Sequence, residues 1–139
     1  ALPPLPGPGD TIKLDILLGP RTDWFTPTAV QQLLSTAWLV TPQSNRVGLR
    51  LQGEVPLERI APEAELPSEG TIRGAIQVPH SGQPIVFLAD HPLTIGYPVI
   101  ATIAEHHLDL AGQTPAGASI RFRALGPFAE IAATTGSMP

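Results

Sequence analysis

Cysteine is absent from this 139-residue chain. Disulfide bridges and thiolate chemistry are therefore excluded, and a reducing, cytoplasmic compartment is expected. No apolar stretch reaches the length of a membrane span, so no membrane role is expected. The start, ALPPLPGPGD, lacks both the charged and the apolar part of a signal peptide. Basic residues are few, eight against twelve acidic ones, for a formal charge of −4. They form no run and no aromatic-basic face, so nucleic acid is not an expected partner. There is no G-x-x-x-x-G-K-[ST] loop, no zinc spacing and no lysine placed for Schiff-base chemistry. Kinase-type and dinucleotide readings have nothing to stand on.

What is plentiful is proline, seventeen residues, and glycine, thirteen. With so few charges, they argue for many short strands and turns. The length suits one domain, or half of a larger one, with a core that needs no staples. Ala1 to Asp10 holds four prolines and two glycines and reads as an extended linker. That start, with no initiator methionine, suggests a preceding segment. The domain proper is expected over residues 11–125, and residues 126–139 read as a weakly ordered tail with a short helix at Ala129 to Ala133.

The central stretch is Ser68 to Thr102. Thr71 to Pro79 alternates in residue type, while Pro84 to Ala89 and Val99 to Ile103 are apolar runs bounded by Gly, Pro and Asp, as strands are. A tight turn, His80 to Gln83, and a longer linker, Asp90 to Pro98, join them. A long ordered connection in a β domain is often a working surface. Around this stretch, Thr11 to Leu18 alternates as a half-buried strand. Thr26-Pro27 caps and starts a short helix through Ser35, with Trp24 and Phe25 packed over its buried face. Ala37 to Thr41 and Val47 to Leu51 are strands, Gln52 to Pro67 is loop, Ala104 to Leu110 is helix or turn, and Ala118 to Leu125 is a last alternating strand.

Several groups invite chemistry. Arg46 and Arg50 are an even number of residues apart with Gly48 between them. They are either a seat for a carboxylate or phosphate, or solvated arginines on an outer face. Glu105, His106, His107 and Asp109 suggest a metal, but adjacent helical residues diverge, so a polar helix face is expected and no metal. His80, Ser81, Asp90 and His91 hold the ingredients of a triad without the G-x-S-x-G elbow, which leaves a hairpin turn. Asp90 ends a buried run and must be hydrogen-bonded to loop amides or to an arginine. It serves either loop-tying or a site. Tyr97, in Gly96-Tyr97-Pro98, either stacks on a flat ligand or caps the core.

Four segments together resemble a known family. They are Gly19-Pro20 with Asp23-Trp24-Phe25; Thr41 through Leu51 (TPQSNRVGLRL); Ser68-Glu69-Gly70 through Gly74-Ala75-Ile76-Gln77-Val78-Pro79, Gly82-Gln83-Pro84 and Leu88-Ala89-Asp90; and Thr94 with Gly96-Tyr97-Pro98. From about Asp15 to Phe122 the chain is similar to the allophanate hydrolase subunit 2 group. That group includes the carboxyltransferase domain of urea carboxylase, the C subunit of bacterial 5-oxoprolinase, and the antagonist partner of a sporulation-kinase inhibitor. Ile95 stands where the family has a glycine, and a β-branched residue resists positive φ.

The resemblance implies a mainly-β, cyclophilin-like barrel with one or two short helices, the C-terminal of two such halves. It implies partnership with the other half, with a subunit 1-type protein and with a lactam-utilisation-type protein. The implied activity is ATP-dependent cleavage of 5-oxoproline, or carboxyl transfer from carboxybiotin to urea. ATP belongs to the whole complex. There is no Met-Lys-Met biotin motif, so any carboxybiotin arrives on another chain. On this reading Arg46 and Arg50 hold a carboxylate or carbonyl oxygen, Asn45 and Gln77 bond an amide or ureido group, Asp90 orients its loop, and Tyr97 packs on the planar amide or urea substrate. This piece alone is expected to be inactive. The alternative is a non-catalytic regulatory module that docks a kinase-inhibitor-like subunit 1 protein. A peptidyl-prolyl isomerase, suggested by the barrel alone, has no supporting arrangement of residues.

Overall fold

The computed structural model describes residues 5–127; the helix expected at Ala129 to Ala133 lies outside them. Seven strands close a barrel. These are β1 (Thr11–Leu18), β2 (Trp38–Val40), β3 (Gly48–Gln52), β5 (Ala75–Gln77), β6 (Ile85–Phe87), β8 (Val99–Ile103) and β9 (Ser119–Pro127), in the order β1-β8-β5-β6-β3-β2-β9. Two further strands, β4 (Glu69–Gly70) and β7 (Thr94–Ile95), form a separate ribbon. The seam is the parallel pairing of β1 with β9, running from Thr11 opposite Ser119 to Leu18 opposite Pro127. Among the described residues there are also two short α-helices, α1 (Pro27–Ser35) and α2 (Leu108–Gly112), and two 3-10 turns, Thr22–Trp24 and Glu105–His107. This is the cyclophilin-like, mainly-β architecture that the resemblance implies. No helix among the described residues is long and apolar enough to cross a membrane.

Strand alternation fills the barrel. Ile12, Leu14 and Ile16 point inward from β1, Leu49 and Leu51 from β3, and Ile120 and Phe122 from β9, all in one buried cluster. Ile76, Val86 and Ile100 join them. The strands β5, β6 and β8 are buried on both faces. A second, outer cluster of Ala75, Ile85, Phe87, Ile95 and Val99 explains why. The ribbon and the loop after β6 cover the barrel there, so β6 and β8 read as continuous apolar runs instead of alternating ones.

The strand expected over Thr71 to Pro79 is shorter, only Ala75–Gln77. Gly74 has φ +90°, and a Cβ there would lie 2.6 Å from Leu108 Cδ2. That left-handed residue turns the chain, and Ala75 N–H donates to Ile72 O across the turn. The proline-rich start also departs from an extended linker. Asp10 N–H donates to Gly7 O, and Gly9 N–H donates to Gly117 O, which pins the segment to the barrel.

Helix α1 begins as the sequence suggests. Thr26 is its cap and its hydroxyl accepts the Ala29 N–H at 3.0 Å, with Pro27 at the first helical position. Thr26→Ala is expected to cost about 1 kcal/mol in urea unfolding. An unchanged midpoint would mean the cap is idle.

Candidate functional site

The outer faces of β3, β5 and β6 form the floor of a cavity of about 430 Å³, and the loop from Pro92 to Tyr97 forms its lip. Asn45, Arg50, Gln77 and Tyr97 all line it. Each is placed by an ordinary structural cause. Arg50 and Gln77 sit at outward positions of β3 and β5, because Leu49, Leu51 and Ile76 take the inward ones. Asn45 closes the turn before β3, its Oδ1 accepting the N–H groups of Val47 (2.9 Å) and Gly48 (3.3 Å). That turn consumes its carbonyl and leaves its amide N–H groups as donors. Gly48 keeps the floor open, since a Cβ there would come within 2.8 Å of Ile85 Cγ2.

The lining holds one cationic side chain, Arg50, and no carboxylate. Arg50 belongs to no ion pair among the described residues. Arg46 and Asp90 are placed differently. Arg46 lies in the bend before β3, its side chain 87% exposed, and its Nε meets Asp90 Oδ2 at 3.2 Å. Neither residue lines the cavity. The even spacing of Arg46 and Arg50 does not put them on one face, because the strand starts only at Gly48. Asp90 is tied to an arginine, and its backbone N–H donates to Arg46 O, so the pair fastens the base of the loop.

Ile95 raises no strain. It is buried, lies opposite Glu69 in the β4–β7 ribbon and packs in the outer cluster. No non-glycine residue among those described has positive φ, and Gly96 does not either. Thr94 and Ile95 are extended strand, where a glycine had suggested a turn, and the loop bends on either side of them.

A carboxyltransferase domain, subdomain A and B, is the family model that matches, over residues 2–124. The chain belongs to the carboxyltransferase-domain family. Among curated proteins it is 40% identical over 110 residues to the 5-oxoprolinase C subunit of Escherichia coli K12, covering 79% of this chain and 35% of that protein. It is also 40% identical over 88 residues to the Haemophilus influenzae protein of the same name, covering 63% of this chain and 28% of that one. The chain therefore spans about a third of the length of these relatives. The crystal structure of the K. lactis urea amidolyase aligns with a TM-score of 0.80 at 27% identity, over 89% of this chain and 8% of that one.

Two other features of this carboxyltransferase-domain chain were not legible in the sequence. A larger cavity, about 630 Å³, runs from Leu18 and Pro20 to Ile72 and Thr102; its walls are mostly apolar and include Asp23 and Glu69 but no cation. A carboxylate or oxyanion finds no cationic partner there. The second feature is a buried acid. Asp15 is 7% exposed on β1 and lies opposite Arg123 in the β1–β9 register. Arg123 donates to both of its oxygens, Nε to Oδ1 at 2.8 Å and Nη2 to Oδ2 at 3.1 Å. His106 Nε2 lies 2.8 Å from Oδ2, and His107 Nδ1 accepts the Asp15 N–H at 2.8 Å. Three atoms with metal-ligand chemistry thus converge within 4.8 Å. Each is already engaged, and a cation would have to displace Arg123. The histidines and Asp109 do not share one polar helix face: His106 and His107 turn onto Asp15, and Asp109 pairs with Arg73. The one hint was an acid between Leu14 and Ile16 in the strand Thr11–Leu18.

Hydrogen bonds from Arg123, then His106, pull the Asp15 carboxyl from 3.8 down to about 2. The unfolded chain therefore binds this proton more readily than the folded one. The stabilisation is complete above pH ~4 and is lost as pH falls through about 2. Urea unfolding across that range should show wild type and Asp15→Asn converging as the pH drops. Parallel curves would mean that the network does not titrate this way.

Proposed function

We propose that this chain is the C-terminal subdomain of a protein of the 5-oxoprolinase C-subunit type. It acts, in the cytoplasm, together with the other half of its own protein and a subunit 1-type partner, in ATP-dependent hydrolysis of 5-oxoproline. Related carboxyl transfer to urea is the neighbouring chemistry. A lactam-utilisation-type protein is a further member of the complex. What carries the reading is one cavity with a single unpaired guanidinium, amide side chains and an aromatic edge, in a chain 40% identical to the C subunit of a 5-oxoprolinase.

A planar lactam in this cavity lies against Tyr97, with its amide bonded by Asn45 and Gln77. Arg50 faces the carbonyl oxygen. As water adds to the carbonyl carbon, that oxygen becomes an oxyanion, and the guanidinium stabilises it more than the starting carbonyl. The ring C–N bond then breaks and the nitrogen takes a proton. The Arg46–Asp90 pair holds the loop that carries Tyr97.

The described residues do not fit ATP: they offer no phosphate-cradling glycine loop and no lysine beside one. ATP is assigned elsewhere in the complex, and no step on this chain runs through it. A carboxybiotin carried by another chain fits better, because its flat ureido ring suits Asn45, Gln77 and Tyr97; when bound it supplies the carboxyl group for transfer.

The test is turnover by the reconstituted full-length complex, with 5-oxoproline and ATP in one assay and carboxybiotin and urea in the other. Release of glutamate in the first supports the reading. No turnover in either, with tight binding to the subunit 1-type protein, would favour a regulatory docking module instead.

A further inference from the structure

One arginine does not match its surroundings. Arg59 is only 8% exposed, yet it belongs to none of the ion pairs among the described residues. Its Nη2 donates to Val78 O at 3.3 Å, and its guanidinium carbon lies 5.9 Å from the centre of the Tyr97 ring. Arginines this buried are ordinarily paired. One carbonyl dipole and one π face offset only part of a full charge removed from water.

Arg59 lines a cavity of about 350 Å³, together with His80 and Ser81. Its backbone is braced on both sides. Thr26 N–H donates to Glu58 O, Ile60 N–H to Trp24 O, and Leu57 N–H to Gly82 O, at 2.9 to 3.1 Å. The backbone that carries Arg59 is thus pinned to the neighbouring segments at Trp24, Thr26 and Gly82. Ser81 Oγ accepts the Gln83 N–H at 3.2 Å, which leaves its own proton to donate. His80 stands edge-on to Tyr97, ring centres 5.1 Å apart.

We infer that this cavity is a second binding site, for the carboxylate of a small organic acid, with Arg59 as its anchor. A guanidinium fork matches the two oxygens of a carboxylate, and the Ser81 hydroxyl adds a third donor. Glu58 also stands in the wall. Its negative charge disfavours a dianion such as phosphate more than a monoanion. The site is independent of the proposed amide chemistry, but the two cavities meet at Tyr97, which lines one and packs against Arg59 and His80 of the other. Occupancy of the Arg59 site therefore bears on the ring that edges the Arg50 site.

The test titrates the full chain with acetate, and separately with inorganic phosphate, at constant ionic strength. It follows the Arg59 Nε–Hε resonance and the amides of Arg59, His80 and Gly82. The expected result is saturable shifts with acetate, tighter than with phosphate. Arg59→Gln should weaken binding tenfold or more, Ser81→Ala should weaken it severalfold, and Arg50→Gln should leave it unchanged. If Arg59→Gln does not fold, the wild-type Nε–Hε shift and the exposed Ser81→Ala variant still decide. Shifts at Arg59 that grow linearly without saturating would overturn the site. So would saturable binding indifferent to both substitutions. Tighter binding of phosphate would overturn the carboxylate assignment.

Discussion

Arg50→Ala is expected to lower 5-oxoproline turnover by the reconstituted full-length complex by about 10²-fold or more, in kcat more than in KM. The folded state should barely notice. Arg50 is on the outer face of β3 and in no ion pair among the described residues, so its removal leaves no buried charge behind. The contrast is Arg46→Ala. Its partner Asp90 is also half exposed, and such surface pairs contribute only about 0–1 kcal/mol. That variant should retain turnover within about threefold, through a slightly looser loop. Equal losses from the two would mean that position on the cavity wall does not matter, and the assignment of the oxyanion partner would fall.

The second large effect is on stability. Trp38 is fully buried where β2 meets β9, opposite Ile120, and its indole N–H donates to Leu33 O at 3.0 Å. One side chain thus fills the barrel and ties α1 to it. Trp38→Ala is expected to cost about 3–5 kcal/mol in urea unfolding. For a domain whose total is about 5–15 kcal/mol, that approaches loss of the fold. Trp38→Phe keeps most of the volume and loses the hydrogen bond, for about 1–2 kcal/mol. A Trp38→Ala loss below about 1 kcal/mol would show that the cavity collapses freely and that the tie to α1 is idle.

Strands and the helix were legible wherever the local pattern had one cause. Thr11–Leu18 and Val99–Ile103 have the bounds that the sequence suggests, and so does α1, because cap, proline and apolar spacing all act within a few residues. Gly74 shows where local reading fails. A glycine inside an alternating stretch was compatible with strand, and only its left-handed turn against Leu108 and Ile103 ends the ladder. Of the six residues singled out for binding, Asn45, Arg50, Gln77 and Tyr97 share one wall, while Arg46 and Asp90 pair outside it. The shared motif marked the segments. It did not mark which side chain of each segment faces the hollow, because that depends on the residue at which pairing with β6 begins.

From residue types alone come the β class, most of the turns, the lack of thiol chemistry and the family. These follow from backbone preferences and from motifs contiguous in the chain. The charged partnerships were decided by tertiary structure. Asp15 meets Arg123 and His106 across 108 and 91 residues, and Arg59 reaches Tyr97 from a loop with no periodicity. A charge contributes according to what remains near it once water is removed. Barrel closure brings β9 alongside β1, and that removal of water happens only in the closed fold.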